Sequence, residues 1–169
     1  MRKPNVRIAR ARLEDVEGMK ALLDDFAKSG DLLARSRLSL YETIRDFYVL
    51  REGEAVVGLS ALHVCWSDLA EVRSLAVRRD RHGQGLGRLL VERCLEDALD
   101  LGLSRVFALT YQPEFFGTLG FRRVDKSELP HKVWQDCVHC AKFPDCDEVA
   151  VMRELNPEPE QEEEPQEAA

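Results

Sequence analysis

The chain has 169 residues, 44% of them hydrophobic, with 24 Lys and Arg against 31 Asp and Glu for a formal net charge of −7. That length and composition suit one globular domain with a sizeable core. They give no basic stripe interleaved with aromatics to grip nucleic acid, no apolar run near the roughly 20 residues that span a bilayer, and no apolar core behind Met1-Arg2-Lys3-Pro4-Asn5 for a secretion signal. The expectation is a cytoplasmic protein with neither nucleic acid nor membrane as partner.

Val6 to Ala9 reads as a short first strand. Leu13 to Lys28 reads as a helix, because Val16, Met19, Leu22, Leu23 and Phe26 form one apolar stripe, and Gly30 ends it. Ser39 to about Arg45 is a second short helix. Phe47 to Leu50 and Ala55 to Trp66 are strands joined through Glu52-Gly53-Glu54, a hairpin signal. The next strand, Glu71 to Val77, is expected to alternate strictly, with Glu71, Arg73, Leu75 and Val77 on one face and Val72, Ser74 and Ala76 on the other.

A glycine-rich turn follows, His82-Gly83-Gln84-Gly85-Leu86-Gly87-Arg88, and opens a helix that runs to Gly102 with Leu86, Leu89, Leu90, Leu95, Ala98 and Leu99 at helical spacing. Glycines remove the Cβ atoms that would hold a phosphate off the backbone, and a helix start offers unpaired N–H groups and the positive dipole end. The spacing is neither that of a Rossmann turn nor that of a P-loop. Val106 to Thr110 is the next strand, Pro113 to Leu119 a short helix, Phe121 to Val124 a strand and Glu148 to Arg153 the last one. Residues 156–169 carry six Glu, no Lys or Arg, and Pro157, Pro159 and Pro165, leaving the body near neutral. This tail is expected to be disordered and solvated, with the folded domain spanning 1–155. The fold class is α/β (α+β), a mixed sheet flanked by helices.

Three motifs in this order, Val72-Arg73-Ser74-Leu75-Ala76-Val77, the glycine turn, and Phe115-Phe116 with Gly120-Phe121, resemble the GNAT superfamily of acetyl-CoA-dependent N-acetyltransferases. A narrower resemblance, to the short N-acetylglutamate synthases of arginine biosynthesis, lies in Leu33-Ala34-Arg35-Ser36-Arg37, Glu71 to Val77, Phe107-Ala108-Leu109-Thr110 and Leu129-Pro130-His131-Lys132-Val133-Trp134. It covers most of residues 6–155. The resemblance implies a mostly antiparallel sheet of six to seven strands, splayed at its central strands to admit acyl-CoA, and acetylation of the α-amino group of L-glutamate by direct attack in a ternary complex.

On that resemblance, backbone groups of Leu75, Ala76 and Val77 hold the pantetheine, and His82, Gly83, Gln84, Gly85, Leu86, Gly87 and Arg88 hold the pyrophosphate. Phe115 and Phe116 pack the cofactor. His82 stands where the family usually has Arg or Gln, and Phe116 where many members have an acidic Tyr. Glu71 is the expected base; Thr110, or Tyr111 beside it, is the expected acid. A dicarboxylate needs cationic anchors. Arg35 leads, with Arg73 and Ser74 beside the thioester strand, Arg37 in reserve, and Lys142, or else Lys132, replacing an Arg-x-Ser motif that this chain lacks. The partners are acetyl-CoA and glutamate, and a homodimer is compatible with the sequence. The runner-up functions are a GNAT transferase for another amine, such as a protein N-terminus, and a non-catalytic acetyl-CoA-binding module.

Cys137, Cys140 and Cys146, with His131 and His139 nearby, offer three thiolates and an imidazole for zinc. A redox-sensitive dithiol is a second use. Free structural thiols are favoured, since a second Cys-x-x-Cys pair is missing, and no metal is assigned.

Overall fold

The computed structural model describes residues 5–129 and 147–155. Seven strands form one sheet: β1 (Val6–Arg10), β2 (Phe47–Glu52), β3 (Ala55–Trp66), β4 (Leu69–Val77), β5 (Arg105–Thr110), β6 (Arg122–Arg123) and β7 (Val149–Glu154), in the spatial order β1-β2-β3-β4-β5-β7-β6. All neighbours are antiparallel except β4 and β5. That parallel pair is joined by the long helix α3 (Leu86–Asp100), as a parallel connection requires. The mixed, mostly antiparallel sheet of seven strands is the one expected.

Helix α1 (Val16–Lys28), preceded by a 3-10 turn at Leu13–Asp15, lays its stripe on one face of the sheet, against Phe47, Val49, Leu59, Ala61 and Ala76. On the opposite face Leu86, Leu90, Val91, Cys94, Leu95 and Ala98 of α3 meet Tyr48, Leu50, Val57, Leu62, Val72 and Val77. Full burial of such side chains contributes about 1.5–3 kcal/mol each. A third cluster, Leu69, Phe107, Leu129, Ala150 and Met152, fills the far end of the sheet. No helix among the described residues is long and apolar enough to cross a membrane.

Several boundaries move for local reasons. The second helix, α2 (Arg37–Glu42), starts two residues before the expected Ser39, because the Ser36 hydroxyl caps it by accepting from the Ser39 amide at 3.1 Å. Strand β4 begins at Leu69, since β3 turns back tightly after Trp66. Helix α4 spans Pro113–Gly117 and β6 only two residues.

One expectation fails in a way that matters for the site. The pairing of β3 with β4 steps from Ala61↔Arg73 to Leu59↔Ala76, so β4 carries an extra residue there. Ser74 sits at φ 57°, the left-handed region that non-glycine residues seldom occupy. This bulge shifts the alternation by one. Val72, Leu75 and Val77 share the α3 face, whereas Arg73 pairs with Ala61 on the α1 face, where Ala76 also lies. Strict alternation, with Arg73, Leu75 and Val77 together, is therefore wrong, because the backbone at Ser74 leaves the pleat.

Candidate active site

The two parallel strands part almost at once. β4 and β5 pair only at Leu69↔Arg105, Ala70↔Val106 and Glu71↔Phe107, and among the described residues no strand runs beside β4 on that side beyond Glu71. The departing β5 pairs with β7 instead. A slot thus opens along Val72 to Val77, which is the splay expected at the central strands.

At the end of that slot lies the glycine turn. Gly83 and Gly85 have φ of +78° and +76°, and a Cβ at either position would meet nothing within 4 Å, so the requirement for glycine is conformational and the backbone is open to approach. Gly85 is the N-terminal cap of α3, and the first amide to return to it is that of Leu89, at 3.1 Å. The N–H groups of Leu86, Gly87 and Arg88 precede the helical ladder and face outward with the positive dipole end. A Cβ on Gly87 would lie 3.5 Å from Phe115, whose ring packs edge-on against Phe116 at 5.2 Å, so α4 walls the helix start. Phe116 is buried in the core beside Phe121.

His82 has a different place from its neighbours. Its Nε2 donates to the Val77 carbonyl at 2.7 Å, its ring tilts against Phe26, and its own amide donates to Arg79 at 3.3 Å. It shapes the entrance to the turn. The basic side chains around it are paired: Arg81 with Glu52, Arg78 with Asp80 at 2.6 Å, Arg79 with Asp25 at 3.4 Å, and Arg88 with Glu92 at 2.9 Å. Positive potential here is therefore left mainly to the helix terminus.

On the α1 face, the loop between α1 and α2 brings Arg35 over the bulge. Its guanidinium donates to the Ser74 hydroxyl at 3.1 Å and to Ser39 at 3.2 Å, and lies over the Phe47 ring at 5.6 Å. Lys20, paired with Asp24, holds the Arg35 carbonyl at 3.1 Å. Arg73, one residue before Ser74, has a buried Nε with no hydrogen-bond partner. An orphaned buried donor is costly, and it is one that an anion would satisfy. Glu71, two residues earlier, shares this face. Arg35, Ser74, Arg73 and Glu71 are thus brought together.

Two residues that sequence reasoning missed join them. His63 of β3 stands directly opposite Glu71 in the pairing register, and its Nδ1 lies 2.9 Å from Asp46 Oδ2. The one available signal was a histidine on the hairpin partner of the Glu71 strand. The helix bearing this face is tethered by Asp15, 5% exposed, which accepts from Arg51 Nε at 2.8 Å and from the Arg12 amide at 2.7 Å. Burial raises the Asp15 pKa, but the bond from Arg51 and the Arg12 amide outweigh it and hold the carboxyl below its ordinary range.

Thr110 ends β5 across the slot, and its hydroxyl accepts from the Gln112 amide at 2.8 Å, leaving its own proton to donate. The Tyr111 hydroxyl donates to Asp147 at 2.8 Å. Arg37 is drawn to the surface by Glu17, at 2.7 and 3.0 Å. Lys132, Lys142, Cys137, Cys140 and Cys146 lie outside the described residues. Among those described, no group of three His, Cys, Asp or Glu side chains could hold a metal ion.

This geometry has counterparts. The sequence profile described as the acetyltransferase (GNAT) family matches residues 17–121. An N-acetyltransferase of Chlorobaculum tepidum is 36% identical over 148 residues, covering 88% of this chain and 96% of its own. An amino-acid acetyltransferase of Mycobacterium tuberculosis is 40% identical over 137 residues, 79% of this chain and 77% of that one. Among solved structures, N-acetylglutamate synthase of Neisseria gonorrhoeae, complexed with coenzyme A and N-acetyl-glutamate, matches with a TM-score of 0.83 at 28% identity, over 92% of this chain and 36% of that one. A Mycobacterium tuberculosis protein in complex with CoA matches at 0.77 and 34% identity, over 89% of this chain and 99% of that one.

Proposed function

The chain belongs to the acetyltransferase (GNAT) family, and from that premise we propose that it acetylates the α-amino group of L-glutamate, as an N-acetylglutamate synthase of arginine biosynthesis. More coarsely, it is an acetyl-CoA-dependent amino-acid N-acetyltransferase. The observation that carries the glutamate reading is the pair of arginines, Arg35 poised over Ser74 and Arg73 with an unsatisfied Nε, on the face that also holds Glu71. Two cations suit two carboxylates, and guanidinium is the fork that matches them. A polyamine would want acids there instead.

The residues present fit coenzyme A. The amides of Leu86, Gly87 and Arg88 and the open backbone at Gly83, Gln84 and Gly85 would hold its pyrophosphate, with Phe115 against them. The unpaired edge of Leu75, Ala76 and Val77 would bond the pantetheine amides. Acetyl-CoA, when bound, supplies the activated acyl carbon.

The chain's own residues do the rest. Arg35, Arg73 and Ser74 orient the amino acid, which makes attack effectively intramolecular. An α-amino group is mostly protonated at neutral pH, with a pKa of about 8, so Glu71 must accept a proton before nitrogen can act as nucleophile. Thr110, at the end of β5 with its hydroxyl proton free of the Gln112 bond, is the group that would protonate the leaving sulfur. Phe116 lacks the hydroxyl for that task.

The test is thiol release from acetyl-CoA by the purified protein with glutamate, glutamine, aspartate, a peptide N-terminus and spermidine. Turnover confined to glutamate supports the reading. Turnover with another amine redirects it within the family, and CoA binding without thiol release on any amine overturns it.

A further inference from the structure

The placement of His63 deepens the proposed function and rests on it. His63 and Glu71 are directly paired across β3 and β4. Such residues point to the same face with Cβ atoms about 4.5–5.5 Å apart. Leu62 and Val72, the next pair, are buried beneath α3, so His63 and Glu71 lie on the acceptor side with Ala61 and Arg73. Asp46, just before β2, lies 2.9 Å from His63 Nδ1. An ionised carboxylate only accepts, so this bond puts a proton on Nδ1 and leaves the lone pair of the neutral ring on Nε2. The His63 side chain is 31% exposed, so water reaches it.

We propose that His63, held by Asp46, is a positioning residue that acts through Glu71: it receives at Nε2 the proton that Glu71 takes from the acceptor's ammonium, and passes it to solvent.

The argument is one of matching. A carboxylate ordinarily titrates near 4.3 and an α-amino group near 8, so a carboxylate working alone is a poorly matched terminal acceptor and gains from a second base held beside it. The balance is simple. The ammonium N–H bond breaks, its electron pair stays on nitrogen for the new amide bond, and the proton moves through Glu71 to Nε2 and then to water. The orientation of His63 by a carboxylate follows the logic by which an acid fixes the tautomer of a proton-accepting histidine. Among the described residues, the other charged or titratable groups brought to this side include Cys65 two residues along β3, Arg73 on β4, and Arg35 with Lys20 and Asp24 from the α1 side.

The experiment is the pH profile of kcat/KM, from thiol release, for the wild-type full chain, His63→Gln and Asp46→Asn, using whichever amino acid from the panel above turns over. For His63→Gln the expected loss is about tenfold at pH 7, closing to less than twofold by pH 9, where solvent supplies the free amine. The KM for acetyl-CoA should not move. Asp46→Asn should show a smaller loss of the same shape, and it carries the test alone if His63→Gln has no cooperative melting transition. Profiles parallel to the wild type, whatever the absolute loss, overturn the assignment. Turnover of an amino acid other than glutamate with the expected profiles removes glutamate and leaves His63 in place. No turnover by the wild type on any amine overturns both.

Discussion

The two halves of the slot are built from different materials. At its far end the glycine turn works with main-chain atoms: two left-handed glycines, a helix terminus, and almost no free side-chain charge. Beside the bulge the face proposed to take the amino acid is made of side chains drawn from four places in the chain, Arg35, Asp46, His63, and Glu71 with Arg73 and Ser74. A backbone site tolerates many side chains but few conformations. A side-chain site has the reverse tolerance, and each of its members matters for what it carries.

Mutations should separate the two. The largest effect is expected at Glu71: Glu71→Gln should lower kcat at pH 7 by about 10²–10⁴, with a smaller deficit at pH 9, while calorimetry finds CoA affinity within a factor of two of wild type. An equal loss at both pH values would remove the role of base. Next is the tether of the acceptor half. Asp15→Asn leaves Arg51 without its carboxylate and should cost about 3 kcal/mol in urea unfolding. Because the folded Asp15 pKa lies below its ordinary value, the stabilisation is present above about pH 4 and disappears as pH falls through the folded value. The variant should therefore converge with wild type in acid, and a gap that persists there would assign the loss to something other than charge.

Arg35→Ala should raise the KM for glutamate about 10- to 100-fold, the worth of hydrogen bonds to a charged group, and leave that for acetyl-CoA unaltered. Gly85→Ala should do the opposite. A left-handed conformation costs an L residue about 1–2 kcal/mol, so the KM for acetyl-CoA should rise about 5- to 30-fold and that for glutamate should hold. If either arginine or glycine variant moved both constants together, the division between the halves would fail.

The same division explains what could be read from residue order. The glycine turn is local: spacing at 83, 85 and 87 and the apolar helix behind it suffice, and α3, α1 and most strands fall where periodicity puts them. Arg35 and Glu71 were reachable through a family pattern. His63 and Asp46 were not, because their meaning depends on a hairpin register that contains irregularities near Leu50 and Leu59. The strict alternation expected along β4 failed at Ser74 because no rule of residue preference foretells a serine in the left-handed region. Lys142 and the cysteines Cys137, Cys140 and Cys146 lie outside the described residues, and their expectations stand as the sequence left them.

The extra residue at Ser74 separates two inheritances within one strand. Upstream of it, positions 71 and 73 can be exchanged to suit a new amine without disturbing the apolar packing that 75 and 77 give to the helix behind the sheet. Were Ser74 kept but drawn into a regular pleat, those two inward-facing residues would turn outward and both functions would merge along one face, so a chain that varies its acceptor has reason to keep this single interruption.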